Sequence, residues 1–385
     1  MRPIPPYANR QARRSGAPTS IDLSALIACT RSTEASHQTG AETDGSTPFL
    51  AWASANVLRV QNRGSRNAVF VEGARTNQLT RSRDLVNAAW LAGTFATTTG
   101  DVGNGPDGAA LADRSQVSSG GHSVYRSSGG EVAPFVLSAW SRATSGTSAQ
   151  RIGLRTSSAV VAAGCFTEYA SVGTTYQRSQ CIRNANGYFA FIHDGTSHSG
   201  VGGTGAVACD LRTDLHQLEP GAFASSAIRT TTTAVTRSAD ACVIASASIP
   251  AWLRSGKWQT TIALECTSAE FIAAATEMTL FAFSTGTNDR ISLVLDSGSM
   301  KVRVTQGGAT RVTTSAITAT SRYLDITLTF DSAAGSVTVA GATTGNGTTT
   351  ATAWTMQSGD VYVGNVSGGT TPYFGEILPT VAEVP

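Results

Sequence analysis

Short runs in which apolar and polar residues alternate constrain this chain most, because the alternation has the period of a β-strand and not of a helix. The clearest runs are 135–140, 187–193, 258–264, 290–295, 301–304, 323–330, 336–339 and 360–363. Each is rich in β-branched and aromatic residues and is bounded by Gly, Asn, Asp or Ser. Helical periodicity is confined to short candidates at 85–92 and 269–276. The pattern predicts an all-β protein, and turn signals at spacings of roughly 8–14 residues favour sandwiches.

The length of 385 residues is too great for one ordinary sandwich and indicates two. A polar connector with four consecutive threonines precedes a new apolar run near residues 230–245, and a second boundary falls near residue 65. We therefore predict two tandem β-sandwiches, at 67–238 and 239–385, behind a basic N-terminal anchoring segment at 1–66. No period of 20–50 residues recurs, which argues against a β-helix or a propeller.

Positive charge is concentrated at the start of the chain. Residues 1–83 hold 11 arginines against 5 acids, and Arg2, Arg10, Arg13 and Arg14 precede the first acid, Asp22. Such an arm binds nucleic acid or an acidic protein surface, or it serves as an anchor. We favour the anchor, without a specific nucleic-acid partner, because binding through a basic patch normally needs a whole face of a domain.

The sequence shows no sign of membrane insertion or of export by a signal peptide. No apolar run follows the basic start, and no stretch approaches the roughly 18 apolar residues of a membrane span. We expect a chain that stays in the compartment where it is made unless a larger particle carries it out.

Metal and catalytic motifs are also absent from the sequence. The six cysteines contain no Cys-x-x-Cys pair, and the five histidines are scattered, so we predict no metal site. Cys165 and Cys181 flank a hairpin-length stretch and can pair, but we expect most cysteines to be small buried hydrophobic residues. The chain has no Gly-x-Ser-x-Gly, His-Glu-x-x-His or P-loop motif, so we predict no catalytic residues and no enzyme activity.

Three stretches carry longer motifs. Residues 70–90 contain EGARTNQLTRS followed by NAAW, residues 105–113 read GPDGAALAD, and residues 216–240 contain HQLEPGAFASS and AVTRSAD. In wording, order and spacing they resemble the opening, turn and closing motifs of phage head-fibre and tail-fibre proteins, over about residues 20–240. Segment 22–66 is only loosely similar, so the anchoring mode of that family is not carried over.

The resemblance implies a fold and a function. The first sandwich would be a jelly roll like those of carbohydrate-binding modules, and residues 239–385 are similar to a concanavalin A-like (laminin G-like) sandwich. The protein would be a surface fibre or spike on the head or tail of a phage or phage-like particle. Its partners would be other virion proteins, through the N-terminal segment, and host-surface polysaccharide. The resemblance also implies a homo-oligomer, with a trimer favoured, and no cofactor; a structural calcium is not indicated.

The motif residues themselves are typical of architecture. Glu72 and Arg75 can form a partly buried ion pair, and Asn77 can satisfy backbone groups at a bend. Pro106-Asp107-Gly108 is a turn, because proline presets φ and glycine takes the left-handed position. Residues 217–219 would continue the closing strand of the first sandwich.

Sugar binding needs an aromatic ring that stacks on the apolar face of a sugar, surrounded by hydrogen-bonding side chains. The candidates are Trp140, Tyr188, His193 and Asp194 in the first sandwich, and Trp252, Tyr323, Trp354 and Tyr373 in the second. The competing interpretation is that most of these aromatic residues belong to the cores.

Three functions stay open on the sequence. The leading hypothesis is a virion fibre that attaches to host polysaccharide, and the second is a capsid decoration or fibre-connector protein without a ligand. The third, a polysaccharide depolymerase, is disfavoured because glycoside hydrolysis needs a pair of carboxylates across a sugar site and no such constellation is recognisable.

Overall fold

A computed structural model gives the fold. It describes residues 20–22, 26–56, 59–62, 67–90, 96–117, 123–131, 135–146, 148–152, 155–156, 160–161, 167–183, 187–193, 209–221, 224–265, 278–286, 288–296, 299–314, 323–341, 348–350, 353–355, 359–363, 374–377 and 380–383.

The protein is all-β, as predicted. Its described residues form 31 strands in antiparallel sheets, one short helix, α1 (Ala251–Ser255), and one 3-10 turn at Ser246–Ser248. Each of the eight alternating runs lies in a strand, with bounds that differ by a few residues at most. Within the described part of the chain, no helix has the length and apolar character needed to cross a membrane.

The largest sheet has nine strands and combines both ends of the described chain. Its strands are β1 (Ser20–Asp22), β5 (Arg59–Asn62), β6 (Asn67–Glu72), β21 (Lys257–Glu265), β26 (Tyr323–Asp331), β27 (Ser336–Gly341), β28 (Thr348–Thr350), β30 (Phe374–Ile377) and β31 (Thr380–Glu383). The main order is β28-β27-β26-β21-β30-β6-β5, and β31 pairs with both β21 and β1.

A seven-stranded sheet shares a hydrophobic core with the nine-stranded sheet. Its strands are β2 (Ile27–Thr30), β20 (Ala241–Ile244), β22 (Met278–Gly286), β23 (Asp289–Asp296), β24 (Ser299–Gln306), β25 (Ala309–Thr313) and β29 (Val361–Val363). They follow the order β2-β20-β29-β22-β23-β24-β25. Trp258 and Phe330 of the nine-stranded sheet pack in one buried cluster with Phe283 and Leu293 of the seven-stranded sheet.

The middle of the chain forms a five-stranded sheet. Its strands are β8 (Ala96–Gly103), β9 (Ala112–Val117), β11 (Phe135–Ala143), β16 (Gln177–Arg183) and β18 (Cys209–Pro220), in the order β16-β11-β18-β9-β8. Every residue of β11 is buried. Phe135 and Leu137 enter a cluster with Trp90, whereas Trp140 packs in another with Phe49 and Tyr176. Residues 217–219 lie in β18, as predicted.

Five strand pairs complete the fold: β3 (Ala35–Gln38) with β4 (Leu50–Ala53), β7 (Arg75–Asn77) with β19 (Val235–Arg237), β10 (Ser123–Glu131) with β17 (Gly187–His193), β12 (Ser148–Ile152) with β15 (Thr167–Val172), and β13 (Arg155–Thr156) with β14 (Val160–Val161).

Strand pairing crosses both of the boundaries expected from the sequence. β1, β2 and β5 come from segment 1–66, which was predicted to be a separate anchor. β1 pairs with β31, and β2 pairs with β20, in the two sheets that residues 239–385 dominate. β5 pairs with β6, which in turn pairs with β30. The N-terminal strands therefore complete the C-terminal sheets, because open sheet edges with unpaired backbone groups are unfavourable.

A disulfide reinforces one of these pairings. Cys29 in β2 and Cys242 in β20 lie directly opposite each other, and a bond joins them across 213 residues of sequence. We expected most cysteines to be unpaired hydrophobic residues and named Cys165 and Cys181 as the pair. Cys165 lies outside the described residues. Spacing along the sequence carries no information about partners brought together by sheet topology, and this explains the difference.

The predicted helix at 85–92 is not formed in its described part. Residues 85–90 make consecutive turns, in which the backbone N–H of Trp90 donates to the carbonyl of Asn87 at 2.9 Å. The Asn87 side chain accepts from the backbone N–H of Ala89 at 3.1 Å, a local bond of the kind that competes with helix formation. The second candidate, 269–276, lies outside the described residues.

Candidate functional site

The sequence motifs meet in a buried charge network of Arg31, Arg59, Glu72, Arg237 and Asp240. Arg59 bridges the two acids: it donates to Glu72 at 2.6 Å and also to Asp240. Arg31 donates to the second oxygen of Asp240 at 2.7 Å, and Arg237 lies 3.5 Å from Glu72. All five side chains are almost completely shielded from solvent.

The carboxylate of Glu72 is held ionised by this network. Burial alone would raise its pKa, but the charges of Arg237 and Arg59 and a hydrogen bond from Ser226 lower it to about 2. The backbone N–H of Ser226 also donates to Glu72, at 2.6 Å. Since each acid has several donors, the network is a stabilising joint between distant segments and offers no accessible group to a ligand.

The ion pair expected between Glu72 and Arg75 is not among the printed contacts of these two residues, because Arg59 and Arg237 hold Glu72. Arg75 instead donates to the carbonyl of Pro220 at 2.5 Å. It lies over Gly221, whose φ is +124° and where an added Cβ would come within 2.2 Å of the guanidinium. A glycine at position 221 therefore satisfies both the backbone conformation and the close approach of Arg75.

The expectation for Asn77 is confirmed. Its amide nitrogen donates to the carbonyls of His216 and Ile228 at 3.0 and 2.9 Å. Its oxygen accepts from the backbone N–H groups of Leu79 and Leu218, both at 3.1 Å. This buried side chain thus joins the first motif to the last, so a ligand has no free group to bind there.

The predicted turn at Pro106-Asp107-Gly108 is also confirmed. Gly108 has φ +77°, and its N–H donates to the carbonyl of Gly105 at 3.0 Å. Asp107 does more than turn the chain, since it accepts two bonds from Arg83 and one from the indole N–H of Trp52 at 2.9 Å. Arg83 also pairs with buried Asp214.

The sugar-binding candidates lie at separate places in the fold. Trp140 is buried, with its ring centroid 5.3 Å from that of Phe49. Trp252 lies on α1, half-buried against the shared core. Tyr188 and His193 lie on β17 and Tyr323 on β26, but their side chains are outside the description. Asp194, Tyr373 and the anchor residues Arg2, Arg10, Arg13 and Arg14 lie outside the described residues.

Trp354 is the candidate that lines a pocket. This Trp354 pocket opens where β22 and β24 end and β23 begins, and its volume is about 250 Å³, including the part open to solvent. Three apolar residues line it, Ile291, Val304 and Trp354, together with six polar ones, Thr285, Asp289, Arg290, Thr305, Gln306 and Thr355. The volume is somewhat below the roughly 300–1,000 Å³ of sites for drug-sized ligands, so the pocket suits one sugar ring or substituent.

Hydrogen bonds fix the walls of the Trp354 pocket. Asp289 accepts from the backbone N–H of Gly307 at 2.9 Å, and Gln306 donates to the carbonyl of Thr355 at 3.0 Å. The Trp354 ring packs edge-on against Phe330, with centroids 6.3 Å apart. Its indole N–H is buried without a partner among the described residues, so Trp354 presents carbon atoms and not its donor to the pocket.

Sequence reasoning missed most residues of the Trp354 pocket. Asp289, Arg290 and Gln306 lie at strand ends beside the Gly307-Gly308 turn, and both of these glycines have positive φ. This turn was a visible signal for a hairpin end, but nothing in the sequence places residues 353–355 beside it.

The described residues contain no cluster of three or more His, Cys, Asp or Glu side chains suited to a metal ion. A comparison with protein-family models finds no match to this chain, and a comparison with curated proteins finds none either. The likeness to phage fibre proteins thus rests on the three motifs alone.

Proposed function

We propose that this protein is a surface fibre or spike of a phage or phage-like particle, on its head or tail, and that it attaches to host-cell surface polysaccharide. The observation that carries the proposal is the Trp354 pocket. It combines an apolar floor with a carboxylate, a guanidinium, an amide and hydroxyl groups, the set of groups with which proteins bind sugars. The three motifs support the placement on a virion by their resemblance to fibre proteins.

The architecture that we propose is a jelly roll built around the five-stranded sheet and a concanavalin A-like sandwich built from the nine- and seven-stranded sheets. Residues ahead of β1 would contact other virion proteins. The chain would assemble in the bacterial cytoplasm and be displayed on the particle as a homo-oligomer, with a trimer favoured. Linking several weak sugar sites raises the effective affinity by roughly 10²–10⁴.

The test is binding of the labelled full chain to host cells with and without their capsular polysaccharide. We expect binding that disappears with the capsule and that the isolated polysaccharide inhibits. A folded protein that binds neither kind of cell would contradict attachment and favour a capsid decoration or connector protein. A loss of polysaccharide chain length over time would instead indicate a depolymerase.

Two variants connect this binding to the Trp354 pocket. Asp289→Asn removes the charge of a pocket residue, and Asp331→Asn is its matched control, because Asp331 also accepts one backbone N–H in a turn, from Ala334 at 2.9 Å. Gln306→Ala has its control in Gln259→Ala, at an exposed position in the nine-stranded sheet. We expect each pocket variant to weaken binding about tenfold, as loss of a charged or well-placed hydrogen bond does. Equal binding by variant and control would contradict this site.

A further inference from the structure

We infer that the Trp354 pocket recognises the acetamido group of an N-acetylated sugar. This inference rests on the proposed function, since it names the chemical class of polysaccharide that the same pocket selects. Three features carry it: the size of the inner pocket, the carbon atoms that face it, and the polar groups at its edge.

The inner part of the pocket is small and apolar. It admits about one sphere of the size of a water molecule, which is also close to the size of a methyl group. The surface that remains accessible inside it belongs almost entirely to carbon atoms, with Ile291, Val304 and Trp354 as the buried apolar walls. A sugar hydroxyl placed there would lose its bonds to water without replacement, whereas a methyl group gains from leaving water.

The edge of the pocket is polar, and part of its bonding capacity is already used. One oxygen of Asp289 accepts from Gly307, and a carboxylate has further acceptor capacity on its other oxygen. Arg290 and Thr285 add hydrogen-bond donors at the same edge. An acetamido group matches this order, because it carries a methyl for the inner pocket and, next to it, an N–H donor and a C=O acceptor for the edge.

Other sugar substituents match less well. A free amine is charged at neutral pH and cannot leave water for carbon walls without a large penalty. A propionamido group keeps the amide but adds one carbon, which exceeds the inner pocket. The pocket should therefore rank acetamido above propionamido and both above the free amine.

The experiment measures binding of the full chain to soluble host capsular polysaccharide in four forms: native, de-N-acetylated, re-N-acetylated and re-N-propionylated. We expect de-N-acetylation to weaken binding at least tenfold, re-N-acetylation to restore it, and re-N-propionylation to restore it only in part. Native polysaccharide that binds equally well before and after de-N-acetylation would overturn this inference and leave attachment intact. Failure of the native form to bind would instead overturn the proposed function.

A blocking variant checks that the selectivity belongs to this pocket. Thr355→Trp places a large ring at an exposed edge position, and Thr232→Trp does the same at an exposed position in the connector. We expect the first variant to bind native and de-N-acetylated polysaccharide equally weakly, and the second to keep the full difference. Retained selectivity in a folded Thr355→Trp protein would overturn the assignment.

Discussion

At the scale of single residues, Glu72 connects the segments that hold the molecule together. It contacts Arg59 from the N-terminal region, Ser226 from the last motif, and Arg237 from the strand that follows the connector. A buried acid with several charged and backbone donors is stable only while they are all present, because a buried charge that loses its partners carries the cost of desolvation.

Replacing Glu72 should therefore be among the most damaging changes of a single atom type. Glu72→Gln leaves Arg59 and Arg237 without their shared carboxylate, and we expect a loss of about 3–5 kcal/mol in the free energy of unfolding. Chemical denaturation measures it. Glu34→Gln is the control, because the exposed pair of Glu34 with Arg229 should contribute no more than about 1 kcal/mol. Equal losses in both variants would contradict the assignment of the network.

His216 makes the protein sensitive to acid. Burial lowers its pKa from 6.5 to about 4, despite its contact with the carbonyl of Ser82. The unfolded chain therefore takes up a proton near pH 6.5 that the folded chain refuses until about pH 4. We expect this residue to remove about 3 kcal/mol of stability as the pH falls through that window. In His216→Gln the loss should be absent from thermal unfolding curves, and an unchanged pH slope would refute it.

Asp113 acts in the opposite direction. Burial raises its pKa from 3.8 to about 6, although the backbone N–H groups of Leu85 and Asp101 donate to it. Its stabilising contribution is complete below pH 3.8 and is lost as the pH rises through 6. Asp113→Asn should consequently lose more stability between pH 6 and 4 than the wild type does. A shallower profile in this variant would show that the sign is wrong.

At the scale of elements, the sequence predicts strands well and their partners poorly. Alternation over six to nine residues, as in 187–193 or 258–264, reflects a strand with two different faces, which is a local property. β1, β2 and β5 have only three or four residues, too few for a period. Their pairing, and the contacts of Arg31 and Arg59, depend on residues some 170–360 positions away, so no local pattern records them.

The disulfide between β2 and β20 belongs to this scale. It closes a loop of 213 residues, and removing such a cross-link typically costs about 2–5 kcal/mol. We expect Cys242→Ser, with Cys29→Ser beside it, to lower the thermal midpoint of the oxidised protein. Reductant should lower the midpoint of the wild type by the same amount and leave the double variant unchanged. A wild-type midpoint that does not respond to reductant would contradict the pairing.

At the scale of the whole molecule, the two ends of the described chain share one sheet. Deleting residues 1–66 removes β1 to β5, Cys29, Arg31 and Arg59, and thus opens both large sheets and the charge network. We expect this truncation to lack cooperative thermal unfolding, whereas deletion of residues 1–19 keeps every described strand and the midpoint. A 67–385 fragment as stable as the full chain would instead fit an independent anchor segment.

The Trp354 pocket also depends on the whole molecule. Trp354 was a candidate on chemistry alone, but the polar residues around it come from the ends of three strands and from a separate segment at 353–355. Trp140, chosen by the same reasoning, is buried beside Phe49, because amphipathic aromatic residues fill cores as readily as they bind sugars. Only the tertiary arrangement separates the two cases.

Hydrogen–deuterium exchange of the full chain, with and without soluble host polysaccharide, tests the central claim most directly. If the Trp354 pocket binds the sugar, slower exchange should appear together in residues 285–291, 304–308 and 353–355, and the Asp289→Asn protein should lose it at the same polysaccharide concentration. Protection confined to another part of the chain would show that the polysaccharide binds elsewhere, and no protection under conditions where cells are bound would contradict the pocket as the attachment site.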